Sequence, residues 1–104
     1  MVYEMRTYQI KVGEIARYLK QFEEKGLPVV SRYCKLVAYW TIDTGVLNRV
    51  VHVWEFEDLE ARRKAREKWW ADPEWINGYI PLALPLVVSQ QSELMSAAPF
   101  SPIR

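Results

Sequence analysis

Residues 36–57 read LVAYWTIDTGVLNRVVHVWEFE, and this stretch decides the fold. It contains two alternating runs separated by a turn. In the first, Leu36 to Asp43, the period of two puts Leu36, Ala38, Trp40 and Ile42 on one face and Val37, Tyr39 and Thr41 on the other. In the second, Asn48 to Glu57, Asn48, Val50, His52, Trp54 and Phe56 share a face opposite Val51, Val53 and Glu55. Asp43-Thr44-Gly45 is turn chemistry, and a join this short makes the two strands an antiparallel hairpin.

Working outward, Val2 to Ile10 also alternates, and Lys11-Val12-Gly13 ends that strand. From Glu14 the period lengthens: Ile15, Tyr18, Leu19 and Phe22 fall at helical spacing. Gly26 is expected to interrupt this helix, with Pro28 opening a short continuation to Tyr33. After the hairpin, Asp58 is placed to cap a helix reading LEARRKAREKWWA. Asp72-Pro73-Glu74 starts another short turn, and Pro81 and Pro85 argue against helix beyond it. Leu86 to Met95 reads as a fourth strand. The order βαββαβ predicts a ferredoxin-like α+β domain over residues 1–96, with an irregular tail at 97–104. Right-handed connections put the first and third strands in the middle of the sheet and both helices on one face.

That arrangement leaves one sheet face uncovered, and an uncovered face should be polar. Here both faces of the hairpin are apolar. At about 25 cal/mol per Å² of apolar area, a few hundred Å² of wet surface is worth several kcal/mol if covered. The simplest cover is a second copy about a two-fold axis, so a homodimer is expected. The alternative is that the tail and residues 73–85 cover it within one chain.

Composition narrows the rest. Five Trp, six Tyr and three Phe are many for 104 residues, and ask for either a heavy core or a core plus a partner surface. A net charge of +1 gives no field for nucleic acid or anionic membrane. Cys34 and His52 are the only residues of their types, so no intrachain disulfide and no four-ligand His/Cys metal site can form. No apolar run reaches the roughly 18 residues of a membrane span, and the acidic, alternating start is not a targeting segment. The expectation is a cytoplasmic protein without metal or cofactor.

Two groups of residues could carry chemistry. His52, on one face with Asn48 and Trp54, could act as a base, with Asn48, Trp40 or Trp54 positioning a substrate; otherwise it is a core histidine satisfied by a neighbour. Glu4, Arg6 and Tyr8, two residues apart on a central strand, form either the polar wall of a ligand pocket or an ion-pair ladder. The catalytic candidates are therefore His52 and Asn48, and the ligand-binding candidates Glu4, Arg6, Tyr8, Trp40 and Trp54. Trp69, Trp70 and Trp75 pack on the sheet or form a lid. The run RRKAREK, residues 62–68, reads as a solvated helix face, since Glu67 lies within it and Glu60 just before it. No phosphate loop, nucleophile elbow or metalloprotease motif is present.

The opening VYEMRTYQIKVGEIARYLKQFEEKGLP, the middle LVAYWTIDTGVLNRVVHVWEFEDLEAR, the DPEW piece and the closing PLVVSQQSELM together resemble the NIPSNAP family over residues 2–95. Ala38 departs from the glycine common before the aromatic. The resemblance implies a dimeric α+β barrel and marks Glu4, Arg6, Tyr8, Asn48, His52 and Trp54 as characteristic positions. It implies no particular activity. The same fold hosts cofactor-free monooxygenases, haem-degrading proteins and dehydratases, an analogy of fold alone. Three functions follow as expectations: a small-ligand-binding dimer of unassigned activity, a cofactor-independent monooxygenase-like enzyme with His52 as base, and a protein–protein interaction module. The sequence does not decide whether the chain is an enzyme.

Overall fold

The structure is a computed structural model that describes residues 1–104. Its four strands are β1 (Val2–Ile10), β2 (Lys35–Thr41), β3 (Arg49–Phe56) and β4 (Val87–Ser96), antiparallel in the order β2-β3-β1-β4. The central pair is registered Glu4 to Trp54, Arg6 to His52 and Tyr8 to Val50. These residues, with Ile10, face the helices. Tyr3, Met5, Thr7 and Gln9 face the other way with Val51, Val53 and Glu55. The alternation expected for these two strands is therefore the observed one, and β3 shows it as strictly alternating burial.

The edge strands depart from simple alternation. A bulge between Leu36 and Ala38 sets Leu36 opposite Trp54, Ala38 opposite Val53 and Tyr39 opposite His52. Leu36 and Tyr39 thus point under the helices, while Ala38 and Trp40 point outward. The expected shared face of Leu36, Ala38 and Trp40 is corrected by that one extra residue. β4 bulges likewise at Val88, between the pairs Gln9–Ser89 and Ile10–Val87. Bulges on edge strands twist them away from pairing with other chains.

The helical layer is longer than the prolines implied. Helix α1 (Ile15–Gln21) runs without interruption through a π-helical turn, Phe22–Gly26, into α2 (Leu27–Val30). The expected break at Gly26 is absent. Gly26 is instead the point of closest approach: a Cβ there would lie 2.8 Å from the Phe22 ring and 2.9 Å from the Tyr79 ring. Helix α3 (Leu59–Trp69) starts where Asp58 accepts a hydrogen bond from the Ala61 amide at 2.7 Å, as expected. After Asp72, residues 74–86 are helical throughout: a second π turn (Glu74–Tyr79), α4 (Ile80–Ala83) and a 3₁₀ turn (Leu84–Leu86).

The reason Pro81 and Pro85 do not end this run is positional. Each lies in the first turn of a new segment, where its missing N–H costs little. The two π turns even end alike. Leu27 N–H bonds back to Phe22 and Ile80 N–H to Trp75, and each is followed by proline, Pro28 and Pro81.

One core joins these layers. Tyr18, Phe22 and Val30 pack with Val50, Trp54 and Phe56 of the sheet and with Trp69, Trp75, Tyr79, Ala83 and Leu86. Residues 74–86 therefore lie on the same face as the other helices. They do not cover the outer sheet face, where Trp40 remains 57% exposed. Residues 97–104 hold no helix or strand, and Phe100 is 88% exposed. No helix is long and apolar enough to cross a membrane.

Candidate functional site

Between sheet and helices lies a cavity of about 210 Å³, walled mainly by aromatic and aliphatic side chains. His52, Trp54, Tyr39, Tyr8 and Arg6 come from the sheet. Phe22, Trp75 and Tyr79 come from the two π turns, which are local helix irregularities often found at functional sites. Trp69, Trp70 and Arg66 close it from α3 and the residue after it.

His52 is 4% exposed, with Tyr39 stacked on its ring at 4.7 Å and Tyr8 edge-on at 4.9 Å. Its Nδ1 accepts a hydrogen bond from the Trp54 indole N–H at 2.6 Å. An indole can only donate, so Nδ1 must be unprotonated and Nε2 carries the proton of the neutral ring. Burial, and then the nearby Arg6 guanidinium, hold the pKa down to about 3. At neutral pH the ring is thus a fixed N–H donor whose one basic nitrogen is occupied. This geometry does not suit the general-base role expected of His52. Nε2 itself is buried and has no partner within the chain.

Glu4 is the opposite case, a buried charge that accepts four hydrogen bonds, one on Oε1 and three on Oε2. It is 1% exposed. Its carboxylate accepts from Arg62 at 2.9 and 3.1 Å, from Arg6 at 2.8 Å and from the Ser92 hydroxyl at 2.5 Å. Burial alone would raise its pKa, but the bonds from Arg62 and Ser92 and the charges of Arg6 and Arg62 outweigh that and hold it at about 2. Arg6 continues the chain by donating from Nε to the Tyr8 hydroxyl at 2.6 Å. Glu4, Arg6 and Tyr8 therefore form a network tying β1 to α3 and β4, and Arg6 and Tyr8 also reach the cavity wall.

Two of the expected site residues are elsewhere. The bulge at Val37 turns Trp40 to the outer face, away from His52. Asn48 adopts a left-handed conformation, φ 61°, at the corner before β3; its carbonyl accepts from the Ile10 amide at 2.7 Å, and the residue is not part of the cavity wall. Conversely, the run 62–68 is only partly solvated. Arg63 pairs with Glu60 and Glu67 on the surface, but Arg62 turns in to Glu4 and Arg66 to the cavity. The need of a buried Glu4 for cations was the one signal pointing to them. Tyr18, Tyr39 and Tyr79 line the cavity from α1, β2 and the second π turn, three segments with no common spacing in the sequence. Burial raises all three pKa values, that of Tyr18 to about 12. Tyr18 lies close enough to perturb the other two phenols, yet the Tyr39 and Tyr79 hydroxyls make no hydrogen bond of sound geometry. Cys34 is a plain buried thiol, its pKa pushed up to about 11 by burial.

A family model described as NIPSNAP matches residues 3–102. The chain belongs to the NIPSNAP family. Human Protein NipSnap homolog 3A is 29% identical over 99 residues, covering 94% of this chain but 40% of that protein. The chain thus spans about two-fifths of the length of this curated NIPSNAP relative. An uncharacterized NIPSNAP domain protein from Burkholderia xenovorans superposes with a TM-score of 0.94 at 37% identity, covering 98% of this chain and 99% of that one. The fold alone is shared more widely. SnoaB, a cofactor-independent oxygenase from Streptomyces nogalater, matches with a TM-score of 0.66 at 18% identity, over 97% of this chain and 96% of that one. The NIPSNAP chain is therefore an α+β domain of the ferredoxin-like kind found in such monooxygenase folds, in a family whose similar solved members are themselves uncharacterised.

Proposed function

We propose that this NIPSNAP domain binds a small ligand in the cavity between sheet and helices and works as a homodimer. The single observation that carries the ligand reading is the half-built polar site at His52: a ring oriented by Trp54 on one nitrogen and left without a partner on the other, inside an aromatic cavity. Buried polar atoms are normally satisfied, and leaving one bare costs about 1–3 kcal/mol. A cavity whose wall carries such a group has the makings of a ligand pocket. An engineered apolar cavity of roughly 150 Å³ takes up benzene, so 210 Å³ has room for one ring and a small substituent.

The dimer reading rests on the outer sheet face, where Trp40 stands exposed beside half-exposed Met5, Val51 and Val53. The unpaired, buried Cys34 suits a reducing compartment such as the cytoplasm.

The ligand reading is tested by thermal shift with a panel of one-ring compounds on the wild type and His52→Asn. Asn keeps an acceptor near Nδ1 but removes the second nitrogen. Stabilisation by at least one compound, reduced in the variant, is the expected result. Equal shifts in both proteins would move the ligand away from His52.

A further inference from the structure

We infer that the ligand is an aromatic monoanion, with its ring among the cavity's aromatic side chains and its negative oxygen facing Arg66 and His52. The inference rests on the ligand-binding reading above and specifies its chemistry. Two independent observations carry it.

The first is an imbalance of donors and acceptors. Three buried nitrogens on cavity-lining residues have no partner in the chain, His52 Nε2, Trp69 Nε1 and Trp75 Nε1, while the Tyr39 and Tyr79 hydroxyls lie beside that of Tyr18. The indoles can only donate, and the Trp54 bond to Nδ1 makes His52 Nε2 a donor too. The Tyr39 and Tyr79 phenols stay protonated, since burial raises their pKa values, and can donate as well as accept. On the acceptor side, the wall holds no aspartate or glutamate, and Gln90 brings its only side-chain carbonyl. A molecule that satisfies this wall must bring acceptor oxygens.

The second is charge. The carboxylate of Glu4 is bonded to Arg6, Arg62 and Ser92 and not to Arg66, the third arginine near it. Arg66 has no ion-pair partner. Its guanidinium lies over the Trp69 ring, 5.4 Å from the centroid, and the residue lines the cavity. Burial and the neighbouring Arg6 charge press its pKa down, the opposite of what a counter-ion would do. A half-buried guanidinium without an anion, beside a wall of donors, is a carboxylate or enolate site waiting for one partner. The ring-lined remainder excludes a bare inorganic ion as a good fit.

The test is calorimetric titration of the whole chain at neutral pH with benzoate and salicylate, against their neutral counterparts benzamide and benzyl alcohol. The acids should bind about tenfold or more tightly than the neutral compounds. Arg66→Gln, a change at a half-buried helix position, should erase that preference by weakening benzoate about tenfold more than benzamide. Indole N–H resonances of Trp69 and Trp75 should move with benzoate, which places the ring in the cavity. Equal binding of benzoate and benzamide would overturn the anion assignment and leave the cavity reading standing. A preference that survives Arg66→Gln would overturn the role of Arg66. No binding of any of the four at millimolar concentration would end both readings.

Discussion

His52 makes acid stability a direct test of the site's electrostatics. The protein has one histidine, so loss of stability between pH 7 and about pH 5 has a single large source. In the fold this ring is neutral down to a pKa of about 3; unfolded, it titrates near its ordinary 6.5. Between those values the unfolded chain binds one proton more than the native one, so stability falls as the pH falls through 6.5 and continues to fall until about 3. Over the 1.5 units from 6.5 to 5 the linkage is about 2 kcal/mol, and over the whole window about 5 kcal/mol, comparable to the entire stability of a small domain. The carboxylates with depressed pKa values (Glu4, Glu55, Glu60, Asp72) add their losses only below about 4.5. Urea unfolding followed by far-ultraviolet circular dichroism, at fixed protein concentration and several pH values between 7 and 5, reads this directly. Wild type should lose about 2 kcal/mol across the range. His52→Asn should start less stable and stay nearly level. A wild type that is level, or a variant that falls as steeply, would show that His52 is not the buried neutral donor described here.

Other consequences are equally open to measurement. Glu4→Gln leaves Arg6 and Arg62 without their counter-charge in a buried setting, and should cost about 3–5 kcal/mol in urea unfolding at neutral pH. A loss below about 1 kcal/mol would mean the network is solvated. Gly26→Ala gains about 1 kcal/mol in helix propensity but drives a methyl into the Phe22 and Tyr79 rings, an overpacking of about 1–3 kcal/mol. Net destabilisation is expected, and a rise in Tm would show that the two π turns can part freely. Trp40→Asp places a charge on the outer sheet face and should lower the sedimenting mass from dimer to monomer; an unchanged dimer would put the seam elsewhere.

How far the sequence spoke depended on the element. In β1 and β3 the faces were legible because a central strand has no freedom to slip: one residue of shift would bury Met5 and Val53 and expose Glu4 and His52. Asp58 was legible because an N-cap needs a particular side chain. The bulge at Val37 left no mark, since its extra residue demands neither glycine nor proline, and Leu36 and Trp40, expected on one face, lie on opposite faces as a result. Pro81 and Pro85 read as stops in the sequence, although each opens a segment as Pro28 does, and only contact with the preceding turn tells the two cases apart. Of the cavity, His52, Trp54, Arg6 and Tyr8 were legible from a strand period. Trp69, Trp70 and Trp75 were legible as a cluster; Arg66, Tyr39 and Tyr79 were not, because what joins them is contact between distant segments rather than any spacing along the chain.

The bulges give the two outer strands a tolerance the inner two lack. Val37 and Val88 are spare links. Remove one residue at either point and the ladder closes into regular pairing with Tyr39 and Gln90 still turned inward. The same deletion within β1 or β3 would turn half the strand inside out. Length variation in this sheet therefore has somewhere harmless to go, at its margins, while the count of residues through Glu4 and His52 is held fixed by geometry.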